Sequence, residues 1–306
     1  MSVAAAAPGR GRWMLALAAL ALTMLLWAGN TIVARWMHGE IPPFMLAFVR
    51  WTGAFLIVLP FAWRHVATDR DKLLGRWPVV LILALTGVAS FNAFLYSGLQ
   101  FTTATNASLL QAAIPPMVLV ADRLIFGIRS ARAQLIGVSL AAVGVIIIVC
   151  RGSPSVLVAL HFGVGDVLVL CGVLAWATYT SLLRLRPEVH PLSLLAVTFA
   201  IGALTMAPLA MLEVEAIRAM PLTAATFFAF AYVAFFPSVV AYLLYNSAVA
   251  EVGSGVAGQA ISLLPLFGAG LAALLLGEAL HGYHAVGMAV IAVGIGFGAF
   301  AARATP

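Results

Sequence analysis

Charge is the property that this sequence has least of. Only 8% of its 306 residues are Asp, Glu, Lys or Arg, whereas soluble domains carry about 25%, so a soluble globular domain is excluded. Cysteine is also scarce, and Cys150 and Cys171 lie at or inside apolar segments, which predicts buried free thiols rather than a disulfide. The net charge of +6 comes from basic residues scattered in short loops. That distribution is typical of membrane proteins, and no nucleic-acid partner is expected.

Long apolar segments fill most of the chain, and 64% of the residues are hydrophobic. A helix needs about 20 apolar residues to cross the hydrocarbon core of a membrane. The sequence contains ten such segments: residues 13–35, 44–63, 78–99, 104–126, 132–150, 164–184, 192–212, 222–248, 252–276 and 283–302. We therefore expect an all-α, multi-pass membrane protein with ten transmembrane helices and no soluble domain.

The sequence repeats itself at about half its length. Trp27 and Arg35 stand eight residues apart, as do Trp176 and Arg184, and 176 − 27 gives an offset of 149. Other residues recur at an offset of 149 or 150: Tyr96 as Tyr245, Pro116 as Pro265, Gly137 as Gly287, and Gly144 as Gly294. Because each half holds five spans, the second half must enter the membrane upside down. Inverted repeats of this kind place a substrate site near the midplane between the halves.

The repeat predicts two units and a connection between them. The first five-helix repeat covers residues 1–150, a linker covers 151–163, and the second, inverted five-helix repeat covers 164–306. A central cavity is expected between them.

Basic residues set the expected orientation, since they are enriched on the cytoplasmic side of membrane proteins. With a cytoplasmic N-terminus, twelve basic residues fall inside: Arg10, Arg12, Arg64, Arg70, Lys72, Arg76, Arg123, Arg129, Arg132, Arg184, Arg186 and Arg303. Three fall outside: Arg35, Arg151 and Arg218. This asymmetry predicts that both termini are cytoplasmic in a bacterial inner membrane.

Five stretches follow one another in a specific order: WAGNTIVAR, PPFMLAFVRW, YSGLQFTTATNASLLQAAIPP, WATYTSLLR and YNSAVAEVGSGVAGQAISLLPLFGAGLAALLLGEAL. In this order and duplication the chain resembles EamA-type members of the drug/metabolite transporter superfamily, and within it the aromatic amino acid exporters of the YddG type. The resemblance implies ten helices in two inverted repeats around a central cavity, and export of small metabolites, often amino acids. The chain departs from the family pattern at one place. Many repeats of the family carry Gly-Glu at the end of the fourth helix, and the second half has Gly277-Glu278, but the first half has Gly127-Ile128.

Neutral polar and aromatic residues cluster in the first, third and fourth segments and in their counterparts, the sixth, eighth and ninth. Unpaired polar groups are costly in hydrocarbon and should face protein or water. The residues expected to bind substrate are Trp27, Asn30, Tyr96, Asn106, Gln111, Trp176, Tyr179, Tyr245, Asn246 and Gln259. Tyr242 shares a helix face with Tyr245. Aromatic walls with a few amides suit neutral or zwitterionic metabolites that have an apolar side chain.

Two further features bear on transport. Pro115, Pro116 and Pro265 lie within apolar segments, where proline frees a carbonyl and permits a kink, so they are candidate gating residues or static kinks. Arg50 is a charge within the second segment. It is either a partner for a substrate carboxylate, or an arginine that reaches the outer interface or helix-end carbonyls.

The sequence also contains features of different functional classes. Gly163-Val164-Gly165-Asp166 resembles the G-x-G-D string of intramembrane proteases, but such chemistry needs a second, facing aspartate, and N-capping accounts for Asp166. A lipid-modifying enzyme, a multidrug carrier and a nucleotide-sugar carrier are further candidates. His281 and His284 could suggest a metal pair, but no third ligand is near them except Glu278, and a role in a loop or at a helix end is favoured. No catalytic residue, metal or cofactor is expected, and the partners are a small-molecule substrate and membrane lipid around a monomer.

The acidic residues predict no proton relay at the midplane. All ten fall in loops or near span ends: Glu40, Asp69, Asp71, Asp122, Asp166, Glu188, Glu213, Glu215, Glu251 and Glu278. Proton-coupled carriers usually keep a titratable group in the translocation path, so facilitated movement is favoured. Asp122, Glu251 and Glu278 are the acids closest to being exceptions.

Overall fold

The computed structural model describes residues 10–37, 39–158, 162–277 and 279–304, and its regular elements there are all helical. The first half contains α1 (Arg10–Trp36), α2 (Pro43–Gly75), α3 (Trp77–Ala84), a π-helical segment (Leu85–Ser90), α4 (Phe91–Leu99), α5 (Ala104–Gln111), α6 (Ile114–Phe126) and α7 (Arg132–Val149). The short helix α8 (Ser155–Val158) follows.

The second half repeats this order with small differences. It contains α9 (Val164–Leu182), a 3-10 turn (Leu183–Leu185), α10 (Pro191–Met211), α11 (Val214–Ala219), α12 (Ala224–Ala234), a second π-helical segment (Phe235–Val240), α13 (Ala241–Ala260), another 3-10 turn (Ile261–Leu263), α14 (Leu264–Leu276) and α15 (Gly282–Ala304).

Eight helices among the described residues are long and apolar enough to cross a membrane. The last of these runs from Ala224 to Leu276, and its 53 residues would span about 80 Å, more than twice the hydrocarbon thickness. Gly253 interrupts it with φ 81° and ψ 162°, a conformation that only glycine adopts readily. The chain reverses there, because Glu251 pairs with Arg12 near the start of α1, whereas Pro265 lines the same cavity as Trp27 further along α1.

The second helix is longer than the predicted segment 44–63 and continues to Gly75. Residues 64–75 are charged but contain no proline, so the helix continues beyond its apolar part. Asp69, which was expected in a loop, lies within α2 and is buried. Its carboxylate accepts hydrogen bonds from the backbone N–H of His190 (2.8 Å) and from Ser193 Oγ (2.7 Å) at the start of α10.

The fourth and ninth predicted segments are broken rather than continuous. Residues 112 and 113 separate α5 from α6, and the 3-10 turn separates α13 from α14. Pro115 and Pro265, which are 150 residues apart, lie in the first turn of α6 and of α14. A proline there costs no hydrogen bond, because the first N–H groups of a helix have no partner within it. The prolines therefore begin new helices and do not kink old ones.

The π-helical segments are also related by the repeat, since Leu85 and Phe235 differ by 150 residues. In the second segment Pro237 lacks an N–H, and the hydroxyl of Ser238 donates to the carbonyl of Val233 at 2.8 Å. That carbonyl is the one that an ordinary residue at position 237 would bind in an α-helix. Ser238 thus satisfies a group that the proline leaves free.

Glycines allow α7 and α15 to pack closely. A Cβ atom added to Gly144 would lie 2.7 Å from the carbonyl oxygen of Gly287, and one added to Gly294 would lie 2.7 Å from that of Gly137. Small residues permit this backbone approach within membranes. The two repeat-related glycine pairs therefore meet crosswise, because each glycine of α7 contacts the repeat counterpart of the other.

Candidate functional site

A cavity of about 550 Å³ lies between the two halves of the chain. It is lined by residues of both repeats, including Trp27, Asn30, Thr31, Arg35, Arg50, Asn92, Tyr96, Leu99, Ser108, Gln111, Pro115, Trp176, Tyr242, Ser262 and Pro265. This volume falls in the range of small-molecule sites.

The exposed residues among the described lining of the cavity lie toward one face of the helix bundle. Thr31 and Arg35 line it and are exposed, and Leu99, also in its wall, ends α4. We call the side where α1 and α4 end the Arg35 face. The opposite side, where α1 begins and the turn after α9 carries Arg184, is the Arg184 face.

Five of the ten residues expected to bind substrate line the cavity. They are Trp27, Asn30, Tyr96, Gln111 and Trp176. Of the candidate gating prolines, Pro115 and Pro265 line it as well, whereas Pro116 does not belong to the lining.

The structure places the other five outside the cavity wall. Tyr179 donates a hydrogen bond from its hydroxyl to Asn246 Oδ1 (2.7 Å), and the hydroxyls of Tyr245 and Thr180 are 2.9 Å apart. Tyr179, Tyr245 and Asn246 are buried between α9 and α13. They bind each other across the two helices, so their polar groups are satisfied without a ligand.

Asn106 and Gln259 serve helix packing instead. Asn106 Nδ2 donates to Asp166 Oδ1 at 3.4 Å. Gln259 is buried and donates from Nε2 to the carbonyl of Gly294 at 2.8 Å, joining α13 to α15. Periodicity could place both residues on a protein-facing surface but could not distinguish a helix contact from a cavity wall.

Aromatic rings form the deep end of the cavity. Trp27 and Trp176 meet edge to face with their centroids 5.1 Å apart, and Tyr242 lies 5.9 Å from Trp27. Trp27 Nε1 donates to the carbonyl of Pro237 (2.9 Å), and the Tyr242 hydroxyl donates to that of Gly87 (2.5 Å). Both acceptors belong to the π-helical segments, a feature that is frequent at functional sites. The segments therefore hold the aromatic floor in place.

Arg50 lines the cavity beside this floor, and its side chain is buried. Its Nε donates to Ser238 Oγ (2.8 Å) and its Nη2 to the carbonyl of Pro237 (3.2 Å). The guanidinium also lies 4.5 Å from the centroid of the Trp51 ring. Arg50 thus does not extend to an interface but binds a carbonyl in the interior of the bundle.

A polar network closes the bundle beyond the floor, toward the Arg184 face. Asp122 Oδ1 accepts from Ser181 Oγ (2.5 Å) and from Arg184 Nη2 (3.0 Å), and Asp122 Oδ2 accepts from Ser254 Oγ (2.5 Å). Arg184 Nη2 also donates to Ser254 Oγ at 2.6 Å. Asp122 belongs to α6 in the first half and its partners to the second. We call these four residues the Asp122 network.

Other contacts close the same face. Arg186 donates to the carbonyl of Asn246 at 2.5 Å, Lys72 to that of Glu188 at 3.1 Å, and Arg76 to that of Leu185 at 3.4 Å. Arg12 and Glu251 form an ion pair there. The helices are therefore joined by several polar contacts at the Arg184 face, whereas the exposed residues of the cavity lining lie toward the Arg35 face.

The residues that suggested a protease or a metal site have structural partners. Asp166 accepts hydrogen bonds from the backbone N–H of Gly163 (2.7 Å) and from Thr102 Oγ1 (2.6 Å), so it caps α9 as expected. The Nδ1 of His284 accepts from the backbone N–H of His281 at 3.0 Å. In the part of the chain that the structure describes, no group of three or more His, Cys, Asp or Glu residues could hold a metal ion.

Comparison with known proteins follows the same duplication. The model of the EamA-like transporter family matches residues 14–150 and again residues 163–298. The chain belongs to the EamA-like transporter family. As a member of it, the chain is a transporter and not an enzyme.

Similar proteins cover almost the whole chain. An uncharacterized transporter of Archaeoglobus fulgidus is 32% identical over 280 residues, which is 90% of this chain and 94% of that protein. A probable amino-acid metabolite efflux pump of Salmonella typhimurium is 26% identical, covering 92% of this chain and 94% of the pump. An uncharacterized inner membrane transporter of Escherichia coli, YedA, is 26% identical over 90% of this chain and 88% of YedA.

One solved crystal structure resembles this EamA-family chain with a TM-score of 0.76 and 18% identity. It covers 95% of this chain and 99% of the other. At that identity the similarity shows the fold alone.

Sequence reasoning missed two parts of this site. Tyr242 was noted for its helix face but not selected as a cavity residue, although it lines the floor. The Asp122 network was not foreseen. A signal existed, because Arg184 is the repeat partner of Arg35 and Asp122 is an acid inside a predicted span, but only a structure brings three separate segments together.

Proposed function

We propose that this EamA-family transporter exports small amphipathic metabolites, namely amino acids with aromatic or other neutral side chains, by alternating access. It has ten membrane crossings in two inverted five-helix repeats, residues 1–150 and 164–306, joined by residues 151–163. It works as a monomer in a bacterial inner membrane, with both termini in the cytoplasm.

One observation supports the mechanism: in the described part of the chain, the exposed residues that line the cavity lie toward the Arg35 face, whereas the Asp122 network joins the two halves toward the Arg184 face. Alternating access requires two such states with the opposite ends sealed. A channel would need a continuous path, which the aromatic floor and the Asp122 network interrupt. The arrangement is therefore one end state of a carrier.

The excess of basic residues supports the assignment of sides. The Arg184 face carries Arg12, Lys72, Arg76 and Arg186 in addition to Arg184. That face is cytoplasmic, so the cavity is open to the outside. An exporter releases its substrate from this state.

The repeat supports a difference between the two end states. Arg184 corresponds to Arg35 at an offset of 149, and Asp122 corresponds to Ala272 at an offset of 150. Arg35 and Ala272 both line the open cavity. Ala272 cannot form the ion pair that Asp122 forms with Arg184, so this pair is not repeated between the equivalent positions of the two halves.

The lining of the cavity supports the substrate class. Indole and phenol rings at the floor suit an apolar side chain, and amides such as Asn30 and Gln111 suit polar substrate groups. No Asp or Glu belongs to the lining formed by the described residues, so movement down the metabolite's own gradient is favoured. The Salmonella relative is named a probable amino-acid metabolite efflux pump.

Counterflow in proteoliposomes tests this function. Vesicles loaded with unlabelled L-phenylalanine or L-leucine should transiently accumulate the labelled amino acid, since a carrier exchanges substrate across one alternating site. Protein-free vesicles and vesicles with Trp176→Ala are the controls, and the variant should be slower because it loses part of the floor. Absence of counterflow for every neutral amino acid would refute the proposed substrate class.

A further inference from the structure

Arg50 occupies an unusual place for a charged residue. It is the eighth residue of α2, about 10 Å along the axis from Pro43. Only 6% of its surface is exposed, and it lines the cavity. A charge at such depth is costly unless it is paired.

The neighbours of Arg50 position its guanidinium but do not neutralise it. Ser238 Oγ and the Pro237 carbonyl are uncharged acceptors, and Trp51 contributes a cation–π contact. An arginine has five N–H donors, so two of them are used and three remain. Among the described residues, no acidic side chain forms an ion pair with Arg50.

The repeat argues that the fold itself does not require this charge. Helices α2 and α10 begin at Pro43 and Pro191, an offset of 148. At the same offset Arg50 corresponds to Thr198, whose hydroxyl bonds back to the carbonyls of Leu194 (2.8 Å) and Leu195 (3.1 Å) in its own helix. A neutral residue therefore suffices at this position in the second half.

The electrostatic surroundings favour a negative group in the cavity. Helices α6 and α14 both begin at the cavity wall, where Ile114, Pro115, Leu264 and Pro265 belong to the lining. The N-terminus of a helix carries a partial positive charge. Together with Arg50, and with no acid in the described lining, these helix ends attract an anion.

We propose that Arg50 is the residue that binds the carboxylate of the transported molecule, through its free N–H groups, while the substrate's apolar part lies against Trp27, Trp176 and Tyr242. Arginine binds planar carboxylates in a forked geometry. The substrate class is therefore a monocarboxylate with an apolar side chain. The α-ammonium group of an amino acid contributes less to binding than its carboxylate, because no carboxylate of the described lining is available to pair with the ammonium group. This inference rests on the proposed transport function and narrows it.

A competition assay on the purified, detergent-solubilised protein tests the inference. Labelled L-phenylalanine and labelled 3-phenylpropionate are the two probes. L-phenylalaninamide and phenethylamine, which lack the carboxylate, are the competitors. In the unsubstituted protein both acids should bind, and the amide and the amine should compete on the order of 10- to 100-fold more weakly, as expected for loss of a charged hydrogen bond.

Three variants locate the effect. Arg50→Gln should weaken binding of both acids by the same order, on the order of 10- to 100-fold. Arg50→Lys should give an intermediate affinity, because it keeps the charge but not the fork. Arg218→Gln removes an exposed charge that pairs with Glu215 outside the cavity and should change nothing. If Arg50→Gln does not fold, the competitor series in the unsubstituted protein still tests whether binding requires the carboxylate.

The outcomes separate this inference from the proposed function. Unchanged affinity in a folded Arg50→Gln variant overturns the inference, as does an amide that competes as well as the acid, or failure of both acids to bind. If one of these results is obtained and the protein still shows counterflow of uncharged amphipathic molecules, the protein is a transporter without a carboxylate site. Binding of both acids through Arg50 without counterflow supports the site and refutes the carrier mechanism.

Discussion

Trp27 and Trp176 meet edge to face with their ring centroids 5.1 Å apart, although 149 residues separate them. Each is the first residue of the same repeated motif, so equivalent residues of the two halves form one floor. Trp27 Nε1 donates a hydrogen bond to the Pro237 carbonyl, and the ring centroids of Trp176 and Tyr179 are 5.2 Å apart. The floor lies between the open cavity and the Asp122 network, which is where a carrier must place its binding site.

Removing part of the floor should weaken binding without unfolding the protein. Trp176→Ala removes an aromatic wall of the cavity, and burial of such rings contributes several kcal/mol. We expect the concentration for half-maximal counterflow to rise at least tenfold. Tyr245→Phe is the control, since Tyr245 lies outside the wall and its hydroxyl contacts Thr180. An equal loss in both variants would argue against this assignment of the floor.

Substituting Asp122 should destabilise the closed face. Asp122→Asn removes the charge that Arg184 and two serine hydroxyls bind, a loss of about 1–3 kcal/mol. The melting temperature of the purified protein should fall by several degrees. Glu251→Gln is the matched control, because its partner Arg12 is largely exposed and surface pairs contribute little. Equal melting temperatures for the two variants would contradict a stabilising role for the network.

Enlarging a glycine between α7 and α15 should destabilise the bundle. In Gly144→Leu the new side chain would meet the carbonyl oxygen of Gly287, because even its Cβ lies 2.7 Å from that atom. Overpacking costs about 1–3 kcal/mol, so thermal unfolding should occur at a lower temperature. Gly296→Leu on α15 is the control, since a Cβ there meets nothing within 4 Å. No difference between the variants would mean that the helices pack elsewhere.

A pH gradient should drive no accumulation of substrate. No acid belongs to the described lining of the cavity, and the carboxylate of Asp122 is engaged by three donors on the sealed side. Vesicles with an imposed pH gradient and no metabolite gradient provide the test. If they accumulate substrate and Asp122→Asn abolishes this while exchange persists, Asp122 carries protons. Glu278, another candidate from the sequence, lies outside the described residues.

Helical content and duplication could be predicted from the sequence because both depend on local properties. Long apolar segments predict helices, and recurring residues such as Trp27 and Trp176 mark the repeat. The family match confirms the EamA assignment. The helix breaks before Pro115 and Pro265 could not be distinguished from kinks, since a proline in the first turn of a new helix and one inside a continuous helix look alike in sequence.

The cavity wall was harder to predict than the fold. Gln111 and Gln259 are both amides within apolar segments, yet one lines the cavity and the other binds the Gly294 carbonyl. Which of these occurs depends on the neighbouring helix, and that information is not local. Tyr245 was selected and Tyr242 was not, for the same reason.

The most direct test of alternating access is thiol labelling of Gln111→Cys from each side of the membrane. Cys150 and Cys171 are first replaced by serine, and oriented vesicles are treated with a membrane-impermeant maleimide. We predict rapid labelling from the outside, slow labelling from the cytoplasmic side, and a shift toward cytoplasmic labelling when Asp122→Asn is added. Equal labelling rates from both sides in the protein without Asp122→Asn, or faster labelling from the cytoplasm, would contradict alternating access from an outward-open state.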